Sequence, residues 1–220
     1  MRTVRTLLLS GFEPFLNYPS NPTQLIIEEL EGRTIGDYTV ASRLLPVDYA
    51  HSGEQLEKAI TALDPDAVIS LGPAAGRHKI TPERIAVNSN DGPVDNTGYT
   101  PHGEKIAEDG PDGIFSRLPL AAMVKRLNRA QLPAEISNTA GLYLCNHVMY
   151  RGLDSLRRRG RNEAPCGFIH IPASYDLAIK HSQVPGWRQE DLTDAIRLCI
   201  ETLSDPQAHN RNPGGTAAAW

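Results

Sequence analysis

The chain has 220 residues, 40% of them apolar and 22% charged, and 22 Lys and Arg against 26 Asp and Glu leave a net charge of −4. That length suits one domain with a substantial core, and the balance supplies no basic field to hold nucleic acid or an anionic membrane. No stretch approaches the roughly 18–20 apolar residues of a membrane helix, the apolar run at residues 6–9 is too short for a secretory leader, and three cysteines cannot form a disulfide framework, so the expectation is a cytoplasmic protein with a free thiol.

In chain order, residues 4–10 predict a short buried strand, ended by the turn signal at Gly11 and Pro14. Asn21 as N-cap and Pro22 at the first helical position predict a helix over 22–30. A strand over 38–45, a helix over 53–63 and a compact strand over 67–72 follow, with a further strand segment at 83–88. Residues 120–129 have helical spacing, Ile136 predicts a short strand running into a turn at 137–141, and 145–159 predict a helix whose basic end suits its dipole. Residues 166–171 predict another apolar strand. Leu192, Ala195, Ile196, Cys199, Ile200 and Leu203 then form one helical stripe.

This alternation predicts an α/β fold with a largely parallel sheet covered by helices on both faces. No composition break marks a linker, so residues 1–209 read as one domain and the Gly/Ala-rich 210–220 as a mobile tail.

Cys145 lies between a glycine turn and a predicted helix. A thiol in a first helical turn meets the positive end of the dipole and free amide groups, which favour the thiolate and can hold an oxyanion. The plainer alternative is a buried core cysteine. A nucleophile also needs a base. His170 ends an apolar strand, where open α/β sheets place their ligands, although a structural histidine with satisfied nitrogens would sit there equally well. His147 is the weaker rival, because i and i+2 on a helix do not face each other. His51, His78, His102, His181 and His209 lie in polar or loop settings and read as surface. Glu83, set among apolar positions, needs a partner if it is buried, and Glu13 reads as a residue that ties down its own loop. The Gly72–Arg77 stretch lacks a phosphate-loop pattern, Cys145, His147 and His170 lack zinc-ligand spacing, and the run from Arg157 to Arg161 reads as a solvated helix end.

Taken together, several segments resemble the pyroglutamyl-peptidase I family of cysteine peptidases. They are Gly11-Phe12-Glu13-Pro14-Phe15 with Asn21-Pro22, Gly76-Arg77, Ile80-Thr81-Pro82-Glu83-Arg84-Ile85-Ala86-Val87-Asn88, Asp95-Asn96 and Asp109-Gly110-Pro111. Ser137-Asn138-Thr139-Ala140-Gly141 leading into Cys145-Asn146-His147, and Gly167-Phe168-Ile169-His170-Ile171-Pro172, complete the set in the family's order.

The resemblance implies a single-domain three-layer α/β/α sandwich that removes N-terminal pyroglutamate from peptides, with no cofactor or metal. It implies Cys145 as nucleophile, His170 as base and then acid, and Glu83 as the residue orienting the imidazole. Phe12, Phe15, Pro73 and Tyr143 would line the ring pocket, and Arg77 together with the Cys145 amide would stabilise the oxyanion. A homo-oligomer, dimer or tetramer, is implied as well. Pro73, Ala75 and Leu16-Asn17 depart from the family pattern, and Pro73 has no amide hydrogen to offer a ligand. Two other classes stay open: a non-catalytic module on the same scaffold, and an amidohydrolase for another small lactam or amide.

Overall fold

The computed structural model describes residues 5–15, 20–180 and 183–208. The first half contains β1 (Arg5–Phe12), α1 (Pro22–Leu30), β2 (Thr34–Ile35), β3 (Tyr38–Leu45), α2 (Ser52–Leu63), β4 (Ala67–Pro73) and β5 (Thr81–Pro82). Four short strands follow: β6 (Ile85–Val87), β7 (Asn90–Asp91), β8 (His102–Glu104) and β9 (Gly113–Phe115). The rest comprises α3 (Leu120–Arg129), α4 (Leu144–Arg158), β10 (Cys166–Ile171), β11 (Ala173–Ser174), α5 (Tyr175–Ala178), β12 (Gly186–Trp187) and α6 (Gln189–Thr202).

Six strands form one sheet in the order β2-β3-β1-β4-β10-β5. The central four are parallel, and β2 and β5 are antiparallel edges. Side chains alternate across a strand, so each central strand divides its apolar residues between two cores. Leu7, Leu9, Ile69, Leu71, Ile169 and Ile171 pack with residues of α1, α3 and α6. Leu8, Phe12, Val68, Cys166 and Phe168 pack on the other face, with residues of α2 and α4. These are the three layers that the sequence implies. The same parity carries forward along β4 and β10, so Gly72 and His170 fall on the face covered by α4. Cys166 and Cys199 are core residues, whereas Cys145 is only half-buried.

Most expected elements appear within a residue or two of their expected bounds, with two corrections. Ile136 forms no strand; its neighbours Ala134 and Ser137 make only single bridges, to Ile80 and Glu83. Residues 83–88 do not extend the sheet. Arg84 donates its amide to the Ser137 carbonyl and accepts at its own carbonyl from Ser116 N, and Ile85–Val87 then pair with β9 as a separate ribbon. Among the described residues no helix is long and apolar enough to cross a membrane. Leu16, Asn17, His181, His209 and the tail at 210–220 lie outside the described residues.

Helix α1 starts where its chemistry dictates. The Asn21 side chain accepts from Thr23 N at 3.0 Å, satisfying an orphan amide, and donates to the Glu13 carbonyl at 3.1 Å. Asn21→Ala should therefore lose about 1–2 kcal/mol of stability. Denaturant unfolding measures this, and an unchanged midpoint at unchanged slope would show that the cap contributes nothing.

Candidate active site

The carboxyl ends of the parallel strands meet at one point. In the sheet, His170 is the register partner of Gly72 on one side and of Thr81 on the other. Glu83 follows β5 and donates its amide to the Phe168 carbonyl at 2.9 Å, which fixes the carboxylate beside β10. Glu83 is fully buried, and its Oε1 lies 2.7 Å from His170 Nδ1. A carboxylate only accepts, so Nδ1 carries the proton and Nε2 presents a lone pair. Phe168 supports the imidazole at a ring separation of 4.9 Å.

Glu83 has a second partner, and this one is a cation. Arg77 Nη1 donates to the same Oε1 at 2.6 Å and to Thr81 Oγ1 at 2.6 Å, while Nη2 reaches the Thr139 carbonyl at 3.3 Å. The guanidinium is thus a partner of the carboxylate, a contact other than the oxyanion role that the resemblance implies for it. Burial alone would raise the Glu83 carboxyl, but the hydrogen bond and charge of His170, with help from Ser137 and Arg77, outweigh it and hold the group below the ordinary carboxylate value. Burial dominates at His170 and keeps the imidazole below its ordinary value, against the pull of Glu83.

Cys145 enters from α4, as the second residue of that helix. No side chain caps α4, whose N-terminal amides are left for a ligand. Asn146 anchors the turn by accepting from Val87 N and donating to the carbonyls of Val87 and Ser89. The sulfur rests on Gly72: a Cβ at that position would come within 2.8 Å of Sγ and 2.7 Å of Phe168 Cζ. Only glycine lets the sulfur reach the strand that pairs with His170. Burial, reinforced by the Glu83 charge, pushes the Cys145 thiol up to about 12, with Arg77 and the Cys145 amide opposing. Burial and the Glu83 charge thus act against the thiolate that a helix terminus favours.

Phe12, Phe15, Pro73 and Tyr143, all named from the sequence, line a small apolar cavity with Cys145, and Val47 and Leu144 complete it. Sequence reasoning missed the last two, although Val47 sits just past the apolar end of β3. Three side chains fix the walls. Glu13 Oε1 accepts from Val47 N and Asn96 Nδ2, so it ties in two distant segments as well as its own loop. Asp95, held low by hydrogen bonds that overcome its burial, accepts from the amides of Tyr49, Thr97 and Tyr99. Tyr143 donates its hydroxyl to the Val94 carbonyl. A roomier cleft, about 450 Å³ between Arg5, Asp66 and Arg161, lies at the opposite ends of the strands and holds no cysteine or histidine.

His147 faces elsewhere. Its Nδ1 lies 3.0 Å from Asn90 Oδ1, and its Nε2 packs so closely on Gly53 of α2 that a Cβ there would meet it at 2.6 Å. Burial, with the Arg151 charge, pulls it down to about 3. It is a neutral structural histidine. Among the described residues no group of three His, Cys, Asp or Glu could hold a metal.

An imidazole held by a carboxylate next to a thiol can accept the thiol proton as sulfur attacks a carbonyl and return it to the departing group. That chemistry, on strand ends of an α/β sheet, defines a cysteine hydrolase. The family profile described as Pyroglutamyl peptidase matches residues 5–206. A pyrrolidone-carboxylate peptidase of Oceanobacillus iheyensis is 52% identical over 200 residues, covering 91% of this chain and all of its own, and one of Deinococcus radiodurans is 40% identical over 90% and 94%. The crystal structure of Bacillus amyloliquefaciens pyroglutamyl peptidase I superposes with a TM-score of 0.87 at 32% identity, covering 91% of this chain and 97% of that one. A mutant pyrrolidone carboxyl peptidase of Pyrococcus furiosus gives 0.86 at 39%, over 89% and 96%. The chain belongs to the pyroglutamyl peptidase family.

Two outcomes follow from the sulfur's setting. Thiolate absorbance, taken as wild type minus Cys145→Ala, should be absent at neutral pH and appear only under strong alkali; a signal already present near neutrality would contradict the burial effect. Gly72→Ala should displace the sulfur and slow turnover of a pyroglutamyl–dye amide by about 10²-fold. Wild-type turnover in that variant would show that the close approach does not matter.

Proposed function

We propose that Cys145, His170 and Glu83 carry out the removal of N-terminal pyroglutamate from peptides, with the ring held by Phe12, Phe15, Val47, Pro73, Tyr143 and Leu144. One observation carries this assignment: the half-buried sulfur, the Glu83–His170 pair and the apolar cavity share a single strand end.

Neutral His170 takes the Cys145 proton as Sγ attacks the pyroglutamyl carbonyl. The oxyanion develops against the first amides of α4, including that of Cys145. His170 then passes the proton to the peptide nitrogen, the C–N bond breaks, and a thioester remains. Water, deprotonated by His170, cleaves the thioester and releases pyroglutamate. Glu83 keeps Nδ1 protonated and compensates the charge that His170 gains in between.

Substrate choice follows from what the cavity lacks. Its lining carries no anionic side chain, so an ordinary N-terminal ammonium would lose its hydration without a partner, at a cost of several kcal/mol. Pyroglutamate has a neutral lactam in that position and avoids the penalty. The three unpaired cysteines suit a reducing cytoplasm. A homo-oligomer, dimer or tetramer, belongs to the same proposal, with exposed Phe115 and Ile179 offering apolar surface. Neither a non-catalytic scaffold nor a hydrolase for another lactam is favoured.

Pyroglutamyl and free glutamyl dye conjugates assayed in parallel test the proposal. Only the first should turn over, and Cys145→Ala or His170→Ala should lower that rate by about 10⁴-fold or more while leaving thermal unfolding near wild type. Persisting turnover in Cys145→Ala would remove the nucleophile, and persisting turnover in His170→Ala would return attention to His147.

A further inference from the structure

The reaction leaves one member of the buried cluster without a task. Arg77 sits in the turn that leaves β4, its amide bonded to the Ala74 carbonyl at 2.8 Å, so its position is set only a few residues beyond Gly72. We propose that Arg77 is a positioning residue for this reaction: it shares Glu83 Oε1 with His170 and grips the Thr139 carbonyl, fixing the carboxylate toward the imidazole and tying it to the loop that delivers Cys145. The inference rests on the assignment of Cys145, His170 and Glu83 above.

The geometry carries it. Two charge-assisted donors converge on one carboxylate oxygen, at 2.6 and 2.7 Å, from opposite partners. With a single partner, the buried Glu83 carboxylate could turn away from the imidazole. The second donor holds Oε1 at the strand end. Thr81, the register partner of His170, receives the other bond of the same Nη1, so three strand-end segments are held together. Thr139 lies in the turn six residues before Cys145, which extends the link to the nucleophile's own loop. A planar fork can satisfy this set, whereas the point charge of a lysine cannot.

Electrostatics gives the proposal a signature. The positive charge of Arg77 opposes protonation of His170 and favours loss of the Cys145 proton. The other charged or titratable groups that face this cluster are Glu83 itself and, on the outer side of Arg77, Glu135 with its partner Lys79 and nearby His78. Lys79 is committed to Glu135 at 2.6 Å. Removing Arg77 therefore leaves Glu83 a stronger partner for imidazolium, and His170 stays protonated to higher pH.

The test is kcat and KM for a pyroglutamyl–dye amide, measured from mildly acid to mildly alkaline pH, in wild type, Arg77→Gln and Arg77→Lys. In Arg77→Gln, kcat should fall about 10–100-fold with KM nearly unchanged, and the acid limb of kcat/KM, which reports the free enzyme's base, should move to higher pH. Arg77→Lys should return the acid limb toward wild type, because the charge is restored, yet keep a several-fold deficit in kcat, because the fork is not. An acid limb in Arg77→Gln that coincides with wild type overturns the proposal, and so does a rise in KM at unchanged kcat, which would mean direct contact with substrate. Should Arg77→Gln fail to fold, the lysine variant decides alone: reduced kcat at unchanged KM supports the role, and wild-type kcat ends it. Cys145→Ala assayed alongside separates the two claims, since an active alanine variant would sink the nucleophile assignment itself.

Discussion

A carboxylate with no exposed surface is the constraint around which the rest is arranged. Glu83 is cut off from water, and an ionised group in that position is tolerated only with strong partners. Two are supplied, an imidazole and a guanidinium, both directed at one oxygen. Each comes from a different strand end, and the Glu83 backbone is itself bonded to β10. The sheet thus builds the charge cluster with its most rigid parts, the central parallel strands buried on both faces. Cys145, the proposed nucleophile, is added from the helix layer, through the gap in side-chain cover that Gly72 leaves.

The cavity is built differently. Its walls come from the ends of β1, β3 and β4 and the start of α4, and loops hold them in register. Glu13, Asn21, Asp95 and Asn96 tie these loops together through backbone hydrogen bonds, so residues far apart in sequence act as one frame. In the proposed reaction, selectivity rests on an absence, an apolar lining with no anion to receive an ammonium group.

Much of this arrangement is legible in the chain alone, for definable reasons. Periodicity locates α3 and β10, because long amphipathic and compact apolar runs carry strong signals. The apolar run of β10 places His170 at its carboxyl end, whereas the cover of that face by α4 comes from the structure. The i, i+2 spacing sets His147 aside, and its packing on Gly53 agrees. What the sequence does not disclose depends on long-range contact. Nothing local shows that Arg77 turns to Glu83, since a surface arginine beside a turn has the same signature. Nor does helix position alone disclose that burial and the Glu83 charge push the Cys145 thiol up. The strand anticipated at Ile136 fails similarly: its neighbours make single bridges that imitate a strand without a ladder.

The parallel sheet also has a second end. β1 begins at Arg5, at the cleft with Asp66 and Arg161, whereas its last residue, Phe12, reaches the cavity. Eight residues at about 3.3 Å each separate the two by roughly 25 Å. A label carried by the Arg5 side chain would therefore report from the far end of the strand without entering the cavity.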